Sequence, residues 1–225
     1  MTQHFHRELD KLEKRLLTLT AVVEENFRNA IRSVEDRDLD LADKVEGDDQ
    51  RADDMEVEIE EECLKVLALH QPVAHDLRLI VAALKMTSDL ERIGDFATRI
   101  ARHGRLLAEY PRVTMPADFS DMADVVCSLF HRSVDALISL DSEEAYDVIA
   151  LDQRVDKYNR DIGNEVTEWM KNNPETIPAC LNILWMARAL ERVGDHASNI
   201  AEDVIYLAEG DIVRHQLDAK EKGGG

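Results

Sequence analysis

Glycine, proline and aromatic residues are scarce in this chain. Nine glycines, five prolines and 5% aromatics in 225 residues leave little material for tight turns or pleated strands, so the composition leans to helix. No uninterrupted run of about 18 apolar residues occurs, which excludes an apolar membrane-spanning helix. The opening Met1-Thr2-Gln3-His4-Phe5-His6 has no apolar signal segment, and the expectation is a cytoplasmic protein. Cysteine is rare too. Cys63, Cys127 and Cys180 are odd in number, far apart and never in a C-x-x-C step. They read as small hydrophobes in a reducing compartment, not as a disulfide frame or zinc knuckle.

Basic charge is also in deficit. Forty-seven acids against 27 bases give a net charge of −20, a field that repels phosphate backbones and anionic bilayers. Nucleic acid and direct membrane insertion are therefore not expected. Cations and basic patches on other proteins are the natural partners of such a surface.

What the chain does have, it has twice. Leu90-Glu91-Arg92-Ile93-Gly94-Asp95 returns 100 residues later as Leu190-Glu191-Arg192-Val193-Gly194-Asp195, and Ala97, Ile100 and Ala101 return as Ala197, Ile200 and Ala201. Apolar residues recur at three-four spacing through Leu9, Leu12, Leu16, Leu19, Val23, Phe27 and Ile31, the mark of an amphipathic helix. Asp38 is placed to cap a second helix carrying Val45, Ile59, Cys63 and Val66, which stops before Gln71-Pro72. A third runs from about Val73 to Glu109, with Leu77, Ile80, Leu84, Leu90 and Ile93 in its stripe.

Two prolines close together, Pro111 and Pro116, then mark a linker. Beyond it the plan repeats: a helix with Met122, Leu129 and Ile138, a long helix capped by Asp141 and broken at Asn172-Asn173-Pro174, and a last helix from about Pro178 to Glu209. The tail, ending Gly223-Gly224-Gly225, is expected to fray. The prediction is an all-α protein of six long helices in two tandem three-helix bundles, residues 1–110 and 118–225, joined by 111–117.

On a helical wheel with Leu90 at zero, Glu91 and Asp95 lie at roughly 100° and 140°, off the centre of the apolar arc. They are predicted to point out of the bundle core, and Glu191 and Asp195 repeat that wheel. The second helix of each half adds another i,i+4 pair, Asp49 with Asp53 and Asp152 with Asp156, within D-Q-R-A-D and D-Q-R-V-D. If antiparallel packing joins the pairs, four carboxylates face one small volume in each half. Clustered like charges destabilise helices or bind protons, and a multivalent cation relieves both. Carboxylate oxygens suit Mg, Mn, Ca or oxidised iron, as one ion or several bridged ones. A solvated acidic face is the bland reading of any one pair; recurrence of both pairs in both halves favours a built site. Gly94 and Gly194, each costing about 1 kcal/mol inside a helix, fit close helix packing first and ligand access second.

Rival chemistries find no support. A ferritin-like di-iron centre needs Glu-x-x-His, and none of the eight histidines has a Glu three residues before it. His196 falls on the far side of the wheel from the acids and reads as a surface or interface histidine. There is no phosphate loop, G-x-S-x-G or H-E-x-x-H, and no Cys/His pairing at useful spacing. Arg78, Arg92, Arg99 and Arg192 read as single partners of surface acids and offer no pocket for free phosphate.

Taken together, Gln71-Pro72-Val73-Ala74, Asp76-Leu77-Arg78, Leu84-Lys85, Asp89 to Asp95, and Leu190 to Tyr206 resemble the PhoU family of phosphate-signalling regulators, over about residues 8–210. The resemblance implies a cytoplasmic regulator, not an enzyme, that restrains the phosphate-starvation response when phosphate is plentiful. It implies action between the ATPase subunit of the phosphate ABC transporter and a PAS-containing sensor histidine kinase, and a homodimer. It also implies multinuclear clusters of iron, zinc or other metals on E/D-x-x-x-D motifs. Carried over, the ligand candidates are Asp49, Asp53, Glu91, Asp95, Asp152, Asp156, Glu191 and Asp195, all carboxylates here. The halves differ at Arg102, where the second has Glu202, so the second site is expected to bind metal better. A metal-dependent carboxylate enzyme or a metal store is the alternative function.

Overall fold

The computed structural model describes residues 3–110 and 113–210. Six α-helices account for nearly all of it: α1 Gln3–Glu35, α2 Leu39–His70, α3 Ala74–Ala108, α4 Ala117–Ser139, α5 Ser142–Asn172 and α6 Ile177–Glu209. The Asp38 carboxylate accepts from Leu41 N at 2.9 Å and caps α2, and Asp141 accepts from Glu144 N at 3.1 Å to cap α5. Gln71, at φ 47°, closes α2 in the left-handed region just before Pro72. Asn173 leads into a 3-10 turn, Pro174–Thr176, on which α6 starts. The predicted frayed tail and part of the predicted linker lie outside the described residues.

Helices α1, α2 and α3 pack mutually, as do α4, α5 and α6, giving the two tandem three-helix bundles of an all-α protein. Every apolar position of the α1 stripe is buried, from Leu9 to Val34. Burying a side chain of that size contributes about 1.5–3 kcal/mol. Gly104 lets α3 approach α1 closely, since a Cβ there would stand 2.6 Å from Val34 Cγ2. Two stripe assignments fail: Leu77 is 40% exposed and Ile138 is 59% exposed. Both lie near helix ends, where the neighbouring helices no longer cover the whole arc.

The most extensive helix contact, however, joins the halves: α3 against α6. Polar bridges cross this seam. Asp89 Oδ1 accepts from Asn199 Nδ2 at 3.0 Å and lies 2.7 Å from His196 Nδ1. Lys85 Nζ donates to Asp203 at 2.9 Å, and His103 meets Asn182 at 2.9 Å. His196 is thus an interface histidine. Phe27 and Phe130 meet edge-on, with centroids 6.5 Å apart, where α1 touches α4. The α3–α6 contact leaves the α2–α3 seam on one half and the α5–α6 seam on the other free to form separate sites.

Candidate metal-binding acidic clusters

Antiparallel neighbours bring the acid pairs of each half together. In the first half, Glu91 is raised above its ordinary range chiefly by burial, with Asp95, Asp53 and Asp49 adding to it and Arg92 opposing. Asp49 is raised in the same way, by burial first, with Asp53 and Asp95 adding and the charge of Arg102 opposing. In the second half, Glu191 is raised by burial and then by Asp195, with Asp156 adding and Arg188 and Arg192 opposing. Asp152 feels the largest effect: burial, then Asp195, Asp156 and Glu191, push its carboxyl up to about 7. Carboxylates that perturb one another across a helix pair are near neighbours on the same seam. All eight predicted residues therefore fall into two quartets, one per half.

Their orientation differs from the expected one. The wheel places the acids on the helix flank, pointing out of the bundle, but each flank is covered by the neighbouring helix. Glu191 is only 9% exposed. Asp49, Asp53, Glu91, Asp95, Asp152 and Asp195 are half-buried, and Asp156 alone is exposed. The quartets thus line the α2–α3 and α5–α6 seams, where desolvation makes their mutual repulsion count.

The glycines make room for them. A Cβ at Gly194 would stand 2.7 Å from Asp152 Oδ1, closer than real side chains allow, whereas one at Gly94 would be 3.9 Å from Asp49 Oδ1. Close packing and access to the acids are therefore the same feature at Gly194: the helix comes near enough to place the Asp152 carboxylate against its backbone.

Arginines flank both clusters. Arg92 lies 3.4 Å from Glu91 and 3.7 Å from Asp95, and Arg99 lies 3.6 Å from Asp95. Arg192 reaches Asp195 at 2.9 Å and Glu191 at 3.7 Å, while Arg188 is hydrogen-bonded to Glu191. Arg78 departs from the expected pairing: its guanidinium lies against Gly210 at the C-terminal end of α6, a favourable place for a cation. Arg102 has its own partner, Glu46, at 3.4 Å.

One acid of the first cluster escaped the sequence reading. Glu56, a turn beyond Asp53, is raised by burial and then by Glu91, Glu60 and Asp53. Its counterpart in the second half is Asn159, so no repeat marked it. The only usable signal was its place on the same face of α2, three residues after Asp53.

The residue types present suit a cation, although among the described residues no three quartet acids bring an oxygen each within 4.8 Å of one another, so the clusters are not closed on a single ion. Glu191 Oε2 and Ser198 Oγ are buried with no hydrogen-bond partner, as is Thr98 Oγ1 in the first half, and the Asp152 carboxylate faces three acids in the space that Gly194 leaves. A hard divalent or trivalent ion held by such oxygens would neutralise the cluster and give Glu191 Oε2, whose only close cation is Arg192 at 3.7 Å, a nearer partner.

Built twice, with the same carboxylate quartet in each half, this molecule belongs to a class of duplicated all-helical proteins with paired acidic clusters. The PhoU domain matches residues 16–103 and again 119–204. The chain is 38% identical over 218 residues to a phosphate-specific transport system accessory protein PhoU homolog of Pseudomonas aeruginosa, covering 96% of this chain and 89% of that one. A crystal structure of PhoU from Pseudomonas aeruginosa superposes with TM-score 0.88 at 37% identity, over 92% of this chain and 100% of that one. The phosphate transport system regulatory protein PhoU from Streptococcus pneumoniae superposes with TM-score 0.86 at 28% identity, over 93% of this chain and 99% of that one. The chain belongs to the PhoU family.

Proposed function

We propose that this protein is a cytoplasmic regulator of phosphate uptake and phosphate-starvation signalling. It acts as an adaptor, not an enzyme, between the ATPase subunit of the phosphate ABC transporter and a PAS-containing sensor histidine kinase, and represses the response when phosphate is plentiful. It works as a homodimer. The names borne by its relatives, accessory and regulatory proteins of phosphate transport, support the first half of this reading. No helix among the described residues is long and apolar enough to cross a membrane, which agrees with docking on a transporter from one side.

The observation that carries the rest is the pair of acidic quartets, each poised on a helix seam. Asp49, Asp53, Glu91 and Asp95 would hold one metal centre, and Asp152, Asp156, Glu191 and Asp195 the other, with iron, zinc, Mg or Mn as the ions in question. A bound cation would supply charge neutralisation, turning a repulsive cluster into a fixed face of defined shape. The thiols favour an adaptor over a catalyst: burial pushes Cys63 up to about 12 and Cys127 up to about 11, so neither is a thiolate nucleophile near neutrality.

The experiment is a pull-down of the purified protein against the ATPase subunit and the kinase. It is run with metal, with chelator, and with Glu191 and Asp195 both changed to Ala. Binding that depends on metal and on that pair is expected. Binding indifferent to both leaves the adaptor role but removes the metals from it, and no binding to either partner sinks the proposal.

A further inference from the structure

We infer that the protein carries a further metal site, of different chemistry, where the start of α1 meets the end of α2. His4 and Glu8 stand one turn apart on α1, and His70 is the last residue of α2. A nitrogen of each imidazole and an oxygen of the carboxylate all lie within 4.8 Å of one another. Glu8 is the hinge of the set: Oε2 is 2.6 Å from His70 Nε2, and Oε1 is 3.5 Å from His4 Nδ1. Ligands of a tetrahedral ion at about 2.0–2.1 Å sit roughly 3.3 Å apart. The two contacts bracket that spacing but fall on different oxygens of Glu8, so rotations of the imidazoles bring both rings onto an ion that the carboxylate holds with either oxygen or with both.

The site is held from below. Phe5, 2% exposed, packs its ring against His70 at 5.0 Å between centroids. The Glu8 and His70 side chains are 18% and 22% exposed, while His4 is 75% exposed and marks the open side. An ion pair between Glu8 and His70 would need no second imidazole. His4 supplies one on the same carboxylate.

Two imidazoles and a carboxylate form a borderline donor set, suited to zinc and its neighbours among the late first-row divalent ions. The all-oxygen quartets favour harder ions, so the two kinds of site discriminate by ligand chemistry. Three protein ligands leave a fourth position to water or to a partner's side chain. Such an ion ties the first turn of α1 to the last residue of α2. Among the described residues the second half has no equivalent, and α4 is 23 residues long against 33 for α1. Sequence spacing gave no warning: His70 lies 62 residues after Glu8. This inference is independent of the adaptor reading and of the quartets.

The test is zinc binding to the chelator-stripped full-length protein by competition with a chromophoric chelator. The variants are His4→Ala, Glu8→Gln, His70→Ala, and the quartet variant Asp152→Asn with Glu191→Gln. Glu8→Gln and His70→Ala are each expected to lose one zinc equivalent, and the quartet variant to keep it. Cobalt in the same site should give the intense visible absorption of a tetrahedral nitrogen-oxygen field, absent from the His70 variant. Circular dichroism checks that each variant remains helical, and Glu8→Gln carries the test if His70→Ala does not fold. Zinc stoichiometry and affinity unchanged in folded Glu8→Gln and His4→Ala, or a cobalt spectrum of six oxygens, would overturn the assignment.

Discussion

The two quartets share residue types and spacing yet differ in how tightly the helices close over them. In the second, Gly194 admits the Asp152 carboxylate against the α6 backbone, and that carboxyl rises to about 7. In the first, Gly94 stands farther from Asp49, whose rise is opposed by the charge of Arg102. The first cluster has the extra acid Glu56 and the bases Arg99 and Arg102; the second has Arg188. Sequence duplication copied the carboxylates, while local packing sets how strongly each cluster resists holding all its charges. The site with the greater unrelieved desolvation should gain most from metal.

Asp152 against Asp49 is where that contrast is largest. The folded carboxyl of Asp152 titrates near 7, above the ordinary 3.8. Its contribution to stability is therefore fully present below about pH 4 and lost as pH rises through about 7. The metal-free protein is thus less stable above that range than below it. Asp152→Asn should raise the melting temperature of stripped protein at pH 8 and change it little at pH 4. Asp49→Asn should act in the same direction, but less. Thermal melts across pH check this, and equal shifts for the two variants would erase the distinction between the halves. Metal affinity of the wild type should likewise fall as pH drops below about 7, since protons compete for Asp152.

Next in size are the glycines. Gly194→Ala must displace the Asp152 carboxylate and should weaken manganese binding in the second half roughly tenfold. Gly94→Ala meets only ordinary contact and should stabilise α3 by about 1 kcal/mol with manganese affinity unchanged. Calorimetric titration of the two variants side by side decides it.

The smallest effect belongs to Arg102. It is 54% exposed and already engaged by Glu46, so solvent mutes its field. Arg102→Glu should tighten metal binding in the first half by about two- to fivefold, the range of an exposed charge interaction. No change would mean that Glu46 already cancels this arginine.

Much of this was legible in the sequence. Apolar periodicity located the helices, Asp38 and Asp141 located two starts, and the repeat pointed to the acid pairs that the α2–α3 and α5–α6 seams bring near one another. Periodicity describes one helix at a time, however, and three features depend on which helix lies next door. The α3–α6 seam was not foreseen, because Asp89, Asn182 and Asp203 are buried polar residues that a hydrophobic stripe cannot reveal. Glu191 sits at the wheel angle expected of it but is buried by α5, so an outward flank became a closed seam. Glu56 has no counterpart in the second half, and the His4–Glu8–His70 set joins residues 62 positions apart. Repetition finds what was duplicated; only packing finds what arose in one half.

Both quartets are proposed to hold cations, the second more strongly than the first. Anomalous diffraction from crystals of the stripped protein, equilibrated with rising manganese, tests this most directly. A first peak is expected among Asp152, Asp156, Glu191 and Asp195, and a second among Asp49, Asp53, Glu91 and Asp95 at higher concentration. Saturating manganese with no peak at either quartet, or with the first quartet filling before the second, would contradict it.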